Sequence, residues 1–209
     1  KTVRSVSFGL GTMSFIEAAR RKQIIDAAIS VLARQGYAKA SLSRIAGEAG
    51  ISKSIISYYF AGKDELFEQV FLTVAERAGE AITPHLAVAR SPAESIAAYI
   101  RHQIGYMHTH REELIAIGIL AVNHGGPEGP DYIARLGQEE LDLLETLFAD
   151  GQRGGQFRAF NTGFLAAMLS KAIEGVLEQW AWKPETDLDV CAEELIALFV
   201  RGIEKRGDD

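Results

Sequence analysis

The residues whose types and spacing can do chemistry lie between positions 41 and 60, SLSRIAGEAGISKSIISYYF. Lys53, Ser54, Ser57 and Tyr58 fall on the outer face of a short predicted helix, and each can bond a phosphate oxygen or a base edge. Such a helix works only if a neighbour holds it at a fixed angle. Ser41 supplies a capping hydroxyl for the preceding helix, where free backbone N–H groups need an acceptor. Ile45, Ala46 and Ala49 stand at i, i+1 and i+4 and form one apolar face. Gly50 stands where a reversing chain needs a positive φ. Ser52 is expected to cap the second helix, 53–59, with Ile56 turned back and the small Ala46 allowing a close crossing. Two short helices joined by a tight turn form the unit that lays one helix in the DNA major groove. The same arrangement also occurs in helical proteins without a nucleic-acid role, so the pattern alone leaves both readings open.

Charge separates them. The chain carries 22 Lys and Arg against 28 Asp and Glu, a net of −6 that looks wrong for a nucleic-acid binder. Residues 1–63, however, hold ten basic and three acidic side chains, a net of +7, which leaves −13 for residues 64–209. A basic module on an acidic body suits DNA, because affinity comes largely from releasing counterions condensed on phosphates. The acidic remainder stays off the duplex and keeps the chain soluble. A basic patch without a partner is the bland alternative.

At 209 residues and 47% hydrophobic content the chain can build one or two domains with a proper core. A single cysteine, Cys191, excludes an internal disulfide framework and a Cys-rich zinc site. No run of eighteen apolar residues occurs, so no membrane partner is expected and the location is read as cytoplasmic. Residues 1–13 read as a flexible lead-in, with Met13 a candidate natural start.

From residue 14 onward, helical periodicity dominates. The reading is all-α: a three-helix head containing the helix-turn-helix over 14–62, and a helical ligand-binding and dimerisation body over 63–209. The first helix is predicted over 14–35, ended by Gly36, with Ile24, Ala28, Val31 and Leu32 on one face. A long helix starts near Lys63, acidic in its first turn as the helix dipole favours, and Pro84 is expected to kink or end it. Ser91, Pro92 and Glu94 form a strong helix start. Further helices are predicted over 112–122, 130–151, 161–182 and 187–205, with a loop at 123–130 and an extended link at 154–158. No period-2 segment predicts a sheet.

With these elements in place, the chain resembles the tetracycline-repressor (TetR/AcrR) family of bacterial transcription regulators. The resemblance rests on Gly36-Tyr37, Ser41, Arg44-Ile45-Ala46, Ala49-Gly50-Ile51-Ser52-Lys53, Tyr58-Tyr59-Phe60 and Lys63-Asp64-Glu65-Leu66, over residues 20–71. Beyond residue 84 it is architectural only, carried by Gly155-Gln156-Phe157 and two long closing helices. It implies a homodimer on double-stranded DNA whose heads read the half-sites of a palindrome. It also implies a small-molecule effector that pivots the long helix and releases DNA. Ser41 and Lys63 would touch phosphates, Arg44 a base or phosphate, Lys53 a guanine, and Tyr58 a phosphate, with Ser52 and Ser54 near the backbone. Tyr59 and Phe60 are expected to pack. Two positions depart from the pattern: Ser57 stands where the family often has tyrosine, and Ile55 where it often has a small polar residue. Ile55 can instead meet a thymine methyl.

For the body, Ile173, Val176, Leu177 and Trp180 form one helical stripe, and Leu195, Leu198, Phe199 and Gly202 another. Two such stripes per chain, paired about a two-fold axis, predict a four-helix dimer interface; burial within one chain is the alternative. Tyr106, Met107, His110, Phe148, Phe164 and Trp180 are candidate effector contacts, which would suit a mostly apolar molecule. An enzyme is the rival class. His102, His108 and His110 suggest a metal, yet i and i+2 diverge on a helix and no compact ligand set completes them. His124-Gly125-Gly126 lacks an accompanying nucleophile elbow, and Gly9-Leu10-Gly11 lacks the strand and third glycine of a dinucleotide site. No cofactor, metal or catalytic residue is expected. A ligand-independent adaptor or architectural DNA-binding protein of the same fold stays open beside the effector-released repressor.

Overall fold

The computed structural model describes residues 15–124 and 130–205. The predicted lead-in, the Gly9–Gly11 pair, and Gly125 and Gly126 lie outside them. The helices are α1 (Phe15–Gln35), α2 (Leu42–Glu48), α3 (Lys53–Tyr59), α4 (Lys63–Val88), α5 (Pro92–Thr109), α6 (Arg111–His124), α7 (Asp131–Arg153), α8 (Thr162–Trp182) and α9 (Leu188–Ile196). A 3₁₀ turn at Tyr37–Lys39 joins α1 to α2, and a π-helical turn at Ala197–Arg201 extends α9.

The helix starts obey the capping signals. Ser91 accepts from the Glu94 N–H, Asn161 from Phe164, and Asp187 from Asp189 and Val190. Each satisfies a first-turn donor that has no partner within the helix. Pro84 ends nothing: α4 runs through it to Val88.

One apolar core runs from the head into the body, and α4 carries it across. Leu66 and Phe67 pack under the head, while Val70, Val74, Ala78 and Ile82 continue the buried stripe at helical spacing. In the head α1 packs on α2 and α4, and it also lies along α6. In the body α5 is central, touching α4, α7, α8 and α9, and α7 pairs with α8.

The closing region differs from the sequence-based expectation. The predicted helix over 187–205 stops early, and Phe157 and Glu204 form an isolated antiparallel bridge. Arg158 N–H donates to the Ile203 carbonyl and Lys205 N–H to Gln156, both at 2.9 Å. The chain end is thereby pinned to the 154–158 link. Gly151 makes room for this: a Cβ there would lie 2.0 Å from the buried Phe157 ring.

Candidate nucleic-acid interface

The turn between α2 and α3 is built as its residue types demand. Ser41, with φ −95° and ψ 154°, accepts through Oγ from the Arg44 N–H at 3.3 Å. Gly50 takes φ +66°, Ile51 N–H reaches back to the Ala46 carbonyl at 3.0 Å, and Gly50 N–H reaches Gly47 at 3.2 Å. That pair of bonds is a Schellman closure, which satisfies the last carbonyls of α2 and reverses the chain. Ile45, Ala46 and Ile56 are buried at the crossing of α2 and α3.

Two side chains of α1 hold the unit from beneath. Gln23 donates to the Ala49 carbonyl at 2.7 Å, at the entrance to the turn. Arg21 donates to the Tyr59 carbonyl at 2.5 Å, and its guanidinium lies 4.4 Å from the Phe60 ring centre. A cation at the C-terminal end of α3 meets the negative pole of its dipole. The sequence marks neither residue, because an arginine and a glutamine on an exposed-looking turn carry no local signal of their distant partners.

The outward face of α3 presents Lys53, Ser54, Ser57 and Tyr58, all exposed, with Tyr58 at 81%. Ile55 beside them is half-buried, whereas Tyr59 packs against the core and Phe60 is buried. Ser52 occupies the N-cap position, but its hydroxyl does not cap. It pairs with the Ser54 hydroxyl at 2.8 Å, since the two oxygens are closer to each other than to a backbone donor. Ser41 and Arg44 border a groove of about 540 Å³ with Gln35, Ser43, Gly47 and Glu48.

Lys63 opens α4 and turns toward two aromatic rings. Its ammonium lies 4.2 Å from the Tyr37 ring centre and 5.0 Å from that of Phe67, and it donates to the Tyr37 carbonyl at 3.4 Å. The cation is drawn inward by two aromatic faces, so a phosphate contact through Nζ would require it to leave them.

Ile173, Leu177 and Leu195 are buried inside the single chain, and Val176 and Phe199 are half-buried against its core, while Leu198 and Gly202 are exposed. The predicted interface stripe of α8 is therefore its inner face. The outer face carries Phe164 at 63% exposure, Met168 at 41% and Trp182 at 82%. These stand at i, i+4 and i+18, on the side opposite Ile173 and Leu177. Lys171, Gly175 and Glu178 separate Met168 from Trp182 on that face, and a 3.6-residue period does not say whether a stripe is covered by its own chain.

The six effector candidates divide between buried and outward positions. Phe148 is fully buried edge-on to Phe160, near the start of α5, where Gln156 bonds the Ala93 N–H. Met107 and Trp180 are core residues, and Phe164 faces outward. Tyr106 and His110 do meet, stacked at 4.0 Å. They sit at the other end of α5, roughly 20 Å from Ala93 at 1.5 Å per residue. The three histidines also part company: His102 stacks on His85, His108 meets Trp180 edge-on, and His110 lies on Tyr106.

An exposed polar helix held across a basic head, on an all-helical body, defines a helix-turn-helix protein. Residues 24–70 match the model of the bacterial regulatory proteins of the tetR family. The HTH-type transcriptional regulator BetI of Brucella canis is 34% identical over 85 residues, 41% of this chain and 43% of that one. BetI 1 of Chromohalobacter salexigens is 40% identical over 82 residues, 39% of this chain and 41% of that one. The chain thus matches less than half the length of these curated relatives. Across the whole fold, the fatty acid degradation regulator FadR of Bacillus halodurans superposes with a TM-score of 0.79 at 23% identity, covering 87% of this chain and 94% of that one. A transcriptional regulator of Saccharomonospora viridis in complex with choline gives 0.80 at 21%, covering 90% and 100%. FadR of Bacillus subtilis in complex with stearoyl-CoA gives 0.77 at 23%, covering 87% and 98%. Residues 24–70 thus carry the helix-turn-helix of the TetR family, on a fold shared with TetR-like transcriptional regulators. Among the described residues, no helix is long and apolar enough to cross a membrane.

Proposed function

We propose that the protein is a cytoplasmic homodimeric repressor that binds a palindromic DNA operator through α3 and is released by a small effector. The observation that carries this reading is the exposed row Lys53, Ser54, Ser57 and Tyr58 on a buried, rigidly closed α2–α3 unit. Residues 14–62 form the reading head and residues 63–209 the body. Ser41, Arg44, Ser52 and Ile55 flank the contact row. The exposed large apolar side chains Phe164, Met168, Trp182 and Leu198 support pairing with a second copy, because a monomer gains nothing from leaving them in water. A second head is needed to read the second half-site.

The effector reading is supported by two similar folds whose crystals hold stearoyl-CoA and choline. For this chain the site is assigned to the body enclosed by α4 to α8, with a mostly apolar ligand, because Ile104, Met107 and Leu120 are apolar and buried there. The effector must prefer the state whose heads do not fit the operator, since equal affinity for both states shifts nothing. Selection of duplexes from a random-sequence pool by the full chain tests the reading. A palindromic consensus with two half-sites, bound by a dimer in sedimentation, is the expected result. Recovery of no consensus would dismiss it, and indifference of the bound complex to every metabolite screened would favour the adaptor.

A further inference from the structure

Three consecutive side chains at the start of α6 reach three different parts of the molecule. Arg111 donates through Nη2 to the Ala181 carbonyl at the C-terminal end of α8, 2.7 Å away, with its guanidinium 5.8 Å from the Trp180 ring centre. Glu112 accepts from Arg34 Nε of α1 at 2.9 Å, and Arg34 also reaches Glu48 of α2 at 3.5 Å. Glu113 accepts from Arg77 Nη1 of α4 and from the Tyr106 hydroxyl of α5, both at 2.6 Å. Arg77 continues the chain through Nη2 to Asp26 of α1 at 2.7 Å, and Lys22 holds the other Asp26 oxygen at 2.7 Å.

Among the described residues Glu113 is the one buried carboxylate, at 8% exposure. Burial works against the Arg77 charge, but the hydrogen bonds it donates to Asp26 and Glu113 overcome it and raise its pKa. Burial likewise opposes ionisation of Asp26, and hydrogen bonds from Lys22 and Arg77 reverse this to lower its pKa. Buried ion pairs add little net stability, because desolvation offsets the Coulomb gain. Their distinctive effect is directional: they hold their partners at one mutual placement. Here the partners are α1 and α2 of the head, the connecting α4, and α8 with its outward apolar face. Apolar packing between α1 and α6 would tolerate sliding, whereas two charged arms at adjacent residues tolerate little.

We propose that Arg111, Glu112 and Glu113 form the junction that sets where the head stands relative to the body. A shift at the end of α8, or of Tyr106 on α5, pulls on this corner and reaches the head through Arg34 and Arg77. The inference concerns head placement; only its consequence for DNA rests on the function proposed above.

The test uses the full chain with Cys191→Ser, and spin labels on Lys39→Cys in the head and Glu139→Cys on α7, both exposed positions. Pulsed distance measurements compare this parent with Glu113→Gln and with Glu112→Gln. The second variant touches a surface pair and keeps the test decisive if the first does not fold. Each variant is expected to displace or broaden the head-to-body distance while amide protection of α2 and α3 stays at the parent level. Affinity for duplexes selected by the parent is expected to shift about fivefold or more. Distance distributions that superimpose on the parent's would overturn the junction. A parent that selects no duplex would instead defeat the DNA reading, with the distances still deciding the junction.

Discussion

The head turns polar side chains outward on one of its shortest helices, the seven-residue α3, and the body turns apolar ones outward on a long helix, the 21-residue α8. Both faces are unpartnered in the single chain, and they imply opposite kinds of partner. The row Lys53, Ser54, Ser57 and Tyr58 costs nothing to hydrate and gains most from a charged, hydrogen-bonding surface. The row Phe164, Met168 and Trp182 loses free energy in water and gains most from another apolar surface. The proposed function uses both: a head that binds and lets go, and a body that stays paired.

The contrast breaks first at what holds the head's face in place. Phe60 is 2% exposed and sits under the Arg21 guanidinium, so Phe60→Ala should cost about 3–5 kcal/mol. Chemical denaturation measures it, and a loss below about 1 kcal/mol would mean that α3 does not rest on this ring. In the body, Trp182 is 82% exposed and contributes little to the folded chain, whereas the proposed pairing would bury it. Trp182→Ala should weaken the dimer by about 2 kcal/mol or more with an unchanged monomer fold. Sedimentation equilibrium decides between that and an α8 face with no part in association.

Lys53→Ala should weaken specific DNA binding by about 1–3 kcal/mol and relax preference at one base position. A uniform loss across all sequences would reassign Lys53 to a phosphate. Lys63→Ala sharpens the distinction between outward and inward cations. Because its ammonium lies against Tyr37 and Phe67, the variant should lose roughly 0.5–1 kcal/mol of stability and leave the salt dependence of DNA binding near that of the parent. A salt slope lower by about one would return it to the phosphate-contacting set.

The smallest expected effect is a pH dependence. The Asp26 pKa is lowered below its ordinary 3.8, so the folded state binds this proton less readily than the unfolded chain does. Its contribution is complete above 3.8 and is lost as pH falls through the lowered value. Asp26→Asn should flatten the acid limb of the stability profile measured by thermal unfolding below about pH 4. An unaltered acid limb would remove Asp26 from the account.

The head was legible in the sequence because its determinants are local. Ser41 caps a bond three residues away, Gly50 answers a backbone angle, and the alternation of Ile45, Ala46 and Ile56 with Lys53 and Ser57 needs only one neighbouring helix to interpret. Two side chains look different once their neighbours are in place. Ser52 reads as a cap until Ser54 is seen to take its hydroxyl, and Lys63 reads as a free cation until Tyr37, 26 residues earlier, is folded beneath it. In the body, Ile173 and Leu177 form an apolar stripe whose sequence does not say whether its own chain or a second one covers it. Of the six bulky residues read as effector contacts, Phe148, Met107 and Trp180 are buried and Phe164 faces outward, a division that size alone does not reveal.

Composition, capping and periodicity therefore determined the all-helical architecture, the closed helix-turn-helix, its basic charge and the outward row on α3. Those depend on interactions within a few residues, which order along the chain specifies directly. Tertiary structure alone decided which stripe of α8 faces inward, that Phe157 pairs with Glu204, and that Arg77 of α4 joins Asp26 to Glu113. Each of these requires knowing which distant surface fills the space opposite. That is settled by the packing of whole helices against one another, for which no single segment holds the information.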